Sequence, residues 1–67
     1  RKAMFEERKA HMEAEIAHMN QALDMLKFKC WYYAQAIRDG NEERLTDMIP
    51  DKLPEEIRAI YDNSHKE

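Results

Sequence analysis

The sequence predicts an all-α fold in which one long helix forms an antiparallel coiled-coil dimer and two short helices pack back on it. Three observations predict it. The first 39 residues contain neither Gly nor Pro, the one Gly standing at position 40 and the two Pro at 50 and 54, so nothing in that stretch breaks a helix. Phe5, Lys9, Met12, Ile16, Met19, Leu23, Leu26, Cys30, Tyr33 and Ile37 follow one another at alternating spacings of 4 and 3, the seam of a coiled coil in which only Lys9 is polar. A chain of 67 residues with a single cysteine is also short for one self-sufficient hydrophobic core, which leaves association as the route to stability.

The long helix is assigned to residues 1–39. Lys9, Ile16, Leu23, Cys30 and Ile37 take the a positions of the heptad, and Phe5, Met12, Met19, Leu26 and Tyr33 take d. At a rise of ~1.5 Å per residue such a helix is ~55 Å long and cannot bury its own stripe within a small monomer. Charge argues for orientation. A parallel pair sets Lys9 against Lys9, with Arg8 to Glu13 as its favourable flank contact. An antiparallel pair centred near Gln21 sets Phe5 against Ile37, Lys9 against Tyr33, Met12 against Cys30, Ile16 against Leu26 and Met19 against Leu23. It also brings Glu13 near Lys27 and Glu15 near Lys29 of the other copy. Exposed ion pairs contribute only ~0.2–1 kcal/mol each, so they select the register and do not hold the dimer together.

From Ala22 to Tyr33 the apolar stripe broadens, because Met25, Phe28, Trp31 and Tyr32 add further faces and leave only Asp24, Lys27 and Lys29 polar. A helix apolar on several sides needs cover on several sides. Residues 40–67 supply it. Gly40 suits the left-handed position that ends a helix, and Asn41 caps a short helix with Glu42 and Glu43 in its first turn. Leu45, Met48 and Ile49 form its apolar edge and Pro50 stops it. Leu53-Pro54-Glu55-Glu56 opens the last helix, with Pro54 at its first position, acids at the positive end, and Ile57, Ile60 and Tyr61 on one face. Asn63 to Glu67 reads as a frayed tail.

Charge divides unevenly. Residues 1–38 hold seven Lys or Arg against five acids, and residues 39–67 hold four against nine, for a net charge of −3. An acidic chain without a basic stripe is a poor ligand for nucleic acid, whose affinity rests on phosphate neutralisation. No stretch approaches the ~20 apolar residues of a membrane span, so no membrane partner is expected and the cytoplasm is the expected compartment. Arg1 and Lys2 open the helix uncapped and against its dipole, an arrangement expected where a helix start or another domain lies upstream.

The segments Glu6-Glu7-Arg8, Met12-Glu13-Ala14-Glu15-Ile16, Leu23-Asp24-Met25-Leu26-Lys27-Phe28-Lys29 and Tyr32-Tyr33 resemble the C-terminal dimerisation helix of the MerR family of bacterial transcription regulators. The resemblance covers residues 5–37, whereas residues 38–67 match no signature of that family. It implies an antiparallel coiled-coil homodimer. It further implies an N-terminal winged helix-turn-helix outside this chain that binds promoter DNA in the context of RNA polymerase, and a small-molecule effector sensed beside the dimerisation helix. The cysteines that metal sensors of the family carry near the ends of this helix are missing here.

Several residues invite sharper readings. Cys30 could sense oxidants, but a small buried hydrophobe is the ordinary occupant of an a position. His11, Glu15 and His18 share helical spacing without a third strong ligand, so no metal is expected. Phe28, Trp31, Tyr32 and Tyr61 are the candidate effector pocket, against the plainer reading of simple core. No cofactor and no catalytic residue is expected. The nearest enzymatic architecture, the small all-helical chorismate mutase, needs several cations converging in a buried pocket, and Arg38, Arg44 and Arg58 fall on polar faces. A generic coiled-coil adaptor is the third reading.

Overall fold

The computed structural model describes residues 1–66; Glu67, the last residue of the expected tail, lies outside the described residues. Three helices follow in order: α1 over Lys2–Asp39, α2 over Glu43–Met48 and α3 over Glu55–Ser64, with no strand among the described residues. None of the helices is long and apolar enough to cross a membrane.

Local chemistry sets each boundary. Arg1 precedes α1 without a side-chain cap, and no acid stands in the first turn. At the other end Gly40 adopts φ 80°, the left-handed conformation that favours glycine, and its N–H donates to the Ala36 carbonyl at 2.9 Å. The N-cap of α2 is Glu42 and not Asn41 as expected, because the helix starts one residue later; Asn41 still accepts a hydrogen bond from the Glu43 N–H at 3.0 Å from just outside it. Ile49 is extended, as the residue before Pro50 must be, and α2 ends there. Pro54 lies just outside α3 instead of at its first helical position, with its carbonyl accepting from the Arg58 N–H at 2.8 Å.

The expected frayed tail is corrected for Asn63 and Ser64. Both belong to α3, and Ser64 is only 6% exposed, its hydroxyl donating to the Tyr61 carbonyl at 2.8 Å. Two polar bonds fix this end to α1: the Asn63 amide donates to Asp24 at 2.7 Å, and the Gln21 amide donates to the Lys66 carbonyl. Polar residues in a short terminal run carry no apolar periodicity, so the sequence offered no reason to extend the helix over them.

Both short helices pack on the C-terminal half of α1, α3 being the larger contributor. The covered face of α1 consists of Gln21, Asp24, Phe28, Trp31, Tyr32, Gln35, Ala36 and Asp39, all half-buried and spaced for one side of a helix. Leu45 at 0% and Leu53 at 7% exposure are the buried hydrophobic side chains of the described residues. Leu53 is a core residue that patterning missed, because it sits between two prolines with no helical neighbours to reveal its side.

The N-terminal half of α1 extends free of this small core. Residues 1–20 are all exposed, and the molecule measures 58 × 20 × 16 Å with a radius of gyration of 16.7 Å, against ~11 Å for a compact domain of this length. Its accessible surface of 5807 Å² likewise exceeds the ~4,500 Å² usual for a folded monomer of this mass.

Candidate homodimer interface and aromatic groove

The heptad seam lies uncovered along α1. Phe5, Met12, Ile16, Met19, Leu23, Leu26, Tyr33 and Ile37 are 48–82% exposed, and Cys30 and Lys9 are exposed as well. At ~100° per residue this row is displaced by about half a turn from the face that α2 and α3 cover. The short helices therefore bury Phe28 and Trp31 and leave the seam open. The broadening at Ala22–Tyr33 thus resolves into two opposite apolar faces, one occupied and one not.

The flanking charges find local partners within one chain. Lys9 approaches Glu13 at 3.9 Å, Lys27 approaches Asp24 at 3.9 Å, and His11 Nε2 lies 2.9 Å from Glu15. Such pairs contribute ~0.2–0.5 kcal/mol each on a helix. The His11–Glu15 contact does not extend to His18 as a chelate; among the described residues no group of three His, Cys, Asp or Glu side chains is placed to hold a metal ion. The arginines weighed for an anion pocket each lie beside a carboxylate: Arg38 at 3.8 Å and Arg44 at 2.7 Å from Asp39, and Arg58 at 3.9 Å from Asp62.

The four candidate pocket aromatics come together around Phe28. Its ring centroid lies 6.0 Å from Trp31, 6.2 Å from Tyr32 and 5.1 Å edge-on from Tyr61, and Tyr61 stacks on His65 at 4.0 Å. An open groove of about 320 Å³ adjoins them, but only Phe28 and Tyr32 of the four line it; Trp31 and Tyr61 do not. Met25, Lys29, Tyr33, Glu42, Ser64 and His65 complete its walls. Sequence reasoning missed Glu42 and His65, which reach the groove only through the turn after Gly40 and the far end of α3.

Two polar links fix the corner between α1 and α2. The Tyr32 hydroxyl donates to the Glu42 carboxylate, and this bond to an anion raises the phenol above its ordinary value. The Arg44 guanidinium donates to Asp39 at 2.7 Å and to the Gln35 side chain at 3.0 Å, and it holds the Asp39 carboxyl below its ordinary value. A carboxyl lowered in the folded state adds stability above its unfolded value and loses it as pH falls through the folded one. Thermal melts should therefore show a loss on acidification below about pH 4 that is shallower in Asp39→Asn. Equal acid dependence of the two proteins would mean that the pair does not tie the corner.

Comparison with known proteins gives no match: no protein-family model, no curated protein and no solved structure is significantly similar to the chain.

Proposed function

We propose that the chain is a homodimerisation module in which α1 pairs antiparallel with α1 of a second copy, centred near Gln21. One observation carries this reading: a continuous row of exposed large apolar side chains runs from Phe5 to Ile37 on the face opposite the short helices. Helices in proteins owe most of their stability to a packed face, and the first half of this 38-residue helix has none within one chain. A second copy supplies that face. The surface in excess of a compact monomer, ~1,300 Å², is ample for the ~800 Å² that each partner buries in a standard interface. The Glu13 to Lys27 and Glu15 to Lys29 matches favour the antiparallel register.

Within that reading, the resemblance of residues 5–37 favours the dimerisation and effector-sensing region of a MerR-like transcription regulator acting in the bacterial cytoplasm. Promoter DNA would then be gripped by a winged helix-turn-helix outside this chain, and the groove beside Phe28 and Tyr32 would face the effector. A generic dimerisation adaptor shares the interface and lacks the effector.

Sedimentation equilibrium at micromolar concentration should return about twice the 8.1 kDa chain mass. Met12→Cys should cross-link to Cys30 of the partner subunit under mild oxidation, while the wild-type chain should not form a Cys30 to Cys30 disulfide. A folded monomer removes the proposal, and efficient wild-type cross-linking replaces the antiparallel register with a parallel one.

A further inference from the structure

Lys9 is the one charged side chain in the seam, and a lone cation at such a position needs a partner if the surrounding apolar surface is to close. The antiparallel register sets it opposite Tyr33. In the folded chain Tyr33 does not stand alone. Its ring meets Tyr32 edge-on at 5.2 Å, Tyr32 donates its hydroxyl to Glu42, and Tyr33 and Glu42 line the same groove. The turn after Gly40 thus carries a carboxylate from outside the heptad into a groove that the seam residue Tyr33 and the flanking Lys29 also line, and a hydrogen bond from Tyr32 on the covered face holds it there.

We propose that Glu42 is the counter-charge for Lys9 of the partner subunit, and that the α1–α2 corner is a further determinant of antiparallel register. This inference rests on the homodimer reading and goes beyond it, because the heptad alone assigns no role to the region after residue 39. In the assembled dimer the ammonium exchanges its local Glu13 contact, 3.9 Å away on an exposed surface, for the face of Tyr33 and the carboxylate of Glu42. Two such sites form per dimer. A parallel pair forms neither, since it places both ammonium groups together at the opposite end of the helix from both carboxylates. Tyr32 acts as a positioning residue, holding Glu42 without meeting Lys9 itself.

Charge exchange between two chains tests this without dependence on any one variant's stability. Lys9→Glu and Glu42→Lys should each weaken self-association by about five- to thirty-fold, the product of two modest ion pairs. An equimolar mixture of the two should form a heterodimer at near wild-type affinity, read by sedimentation or by fluorescence energy transfer between labelled chains. Mixing Lys9→Glu with the wild-type chain should give a dimer of intermediate affinity, because one of its two sites stays repulsive. Glu43→Gln, which alters the adjacent acid whose N–H Asn41 caps, should leave dimer affinity unchanged. Circular dichroism of each variant confirms that it folds. A Lys9→Glu chain that pairs with wild type more tightly than wild type pairs with itself overturns the proposal in favour of a parallel Lys9 to Lys9 contact. A dimer indifferent to all these substitutions overturns it while leaving the homodimer intact, and a wild-type monomer removes both.

Discussion

Leu45→Ala is expected to destabilise the fold by about 2–5 kcal/mol, the range for deleting most of a wholly buried leucine. Leu45 has no exposed surface, although it belongs to a helix of only six residues. So short a helix has no stability of its own, and its position depends on what its apolar side touches. Without the Leu45 side chain, α2 keeps half-buried Met48 and Ile49 and the polar links from Tyr32 and Arg44, which are on the surface and individually weak. Urea denaturation at fixed protein concentration measures the effect, the concentration being held because dimer association contributes to the apparent stability. Thr46→Ala in the same helix, exposed and donating its hydroxyl to the Glu42 carbonyl at 2.9 Å, should shift the midpoint far less. A loss below 1 kcal/mol for Leu45→Ala would mean that the cavity collapses or that α2 is not held against α1.

The long helix was legible because Gly and Pro are confined to position 40 and beyond and because the 4–3 spacing repeats throughout with Lys9 as its one polar member. Its end was legible for a physical reason at a single residue, since among the described residues only Gly40 adopts a positive φ. The short helices were legible through Asn41, Pro50 and Pro54, with boundaries displaced by a residue where the caps act from outside the helix. The division of α1 into two apolar faces was only half legible. Counting hydrophobic residues from Ala22 to Tyr33 showed that more than one face needed cover; which side α3 takes depends on Asp24, Asn63, Gln21 and the Lys66 carbonyl, polar contacts that no periodicity encodes. The candidate pocket failed in part for the same reason. Trp31 and Tyr61 share a cluster with Phe28, but the groove opens toward Glu42 and His65, residues distant in sequence from the aromatic run.

Ile16→Glu is expected to have the largest effect on assembly. Ile16 is 55% exposed in the single chain, so a carboxylate there should leave the fold of one chain nearly intact. In the dimer each copy loses an isoleucine burial of about 1.5–3 kcal/mol, and the loss occurs twice, so the dissociation constant should rise by about 10²–10⁴ before any cost of desolvating the charge. A compensating change then distinguishes the two registers. Antiparallel pairing sets position 16 against position 26, whereas parallel pairing sets each position against itself. The double variant Ile16→Glu with Leu26→Lys would therefore join opposite charges twice across an antiparallel interface and like charges twice across a parallel one. The control, Ile16→Glu with Leu26→Glu, repels in both arrangements. Sedimentation should find the first variant at least ten-fold tighter than the control, a margin that charge pairs at an interface readily supply. Equal weakness of the two variants would argue against the antiparallel register at its centre, and unchanged dimerisation of Ile16→Glu alone would move the interface off this face of α1.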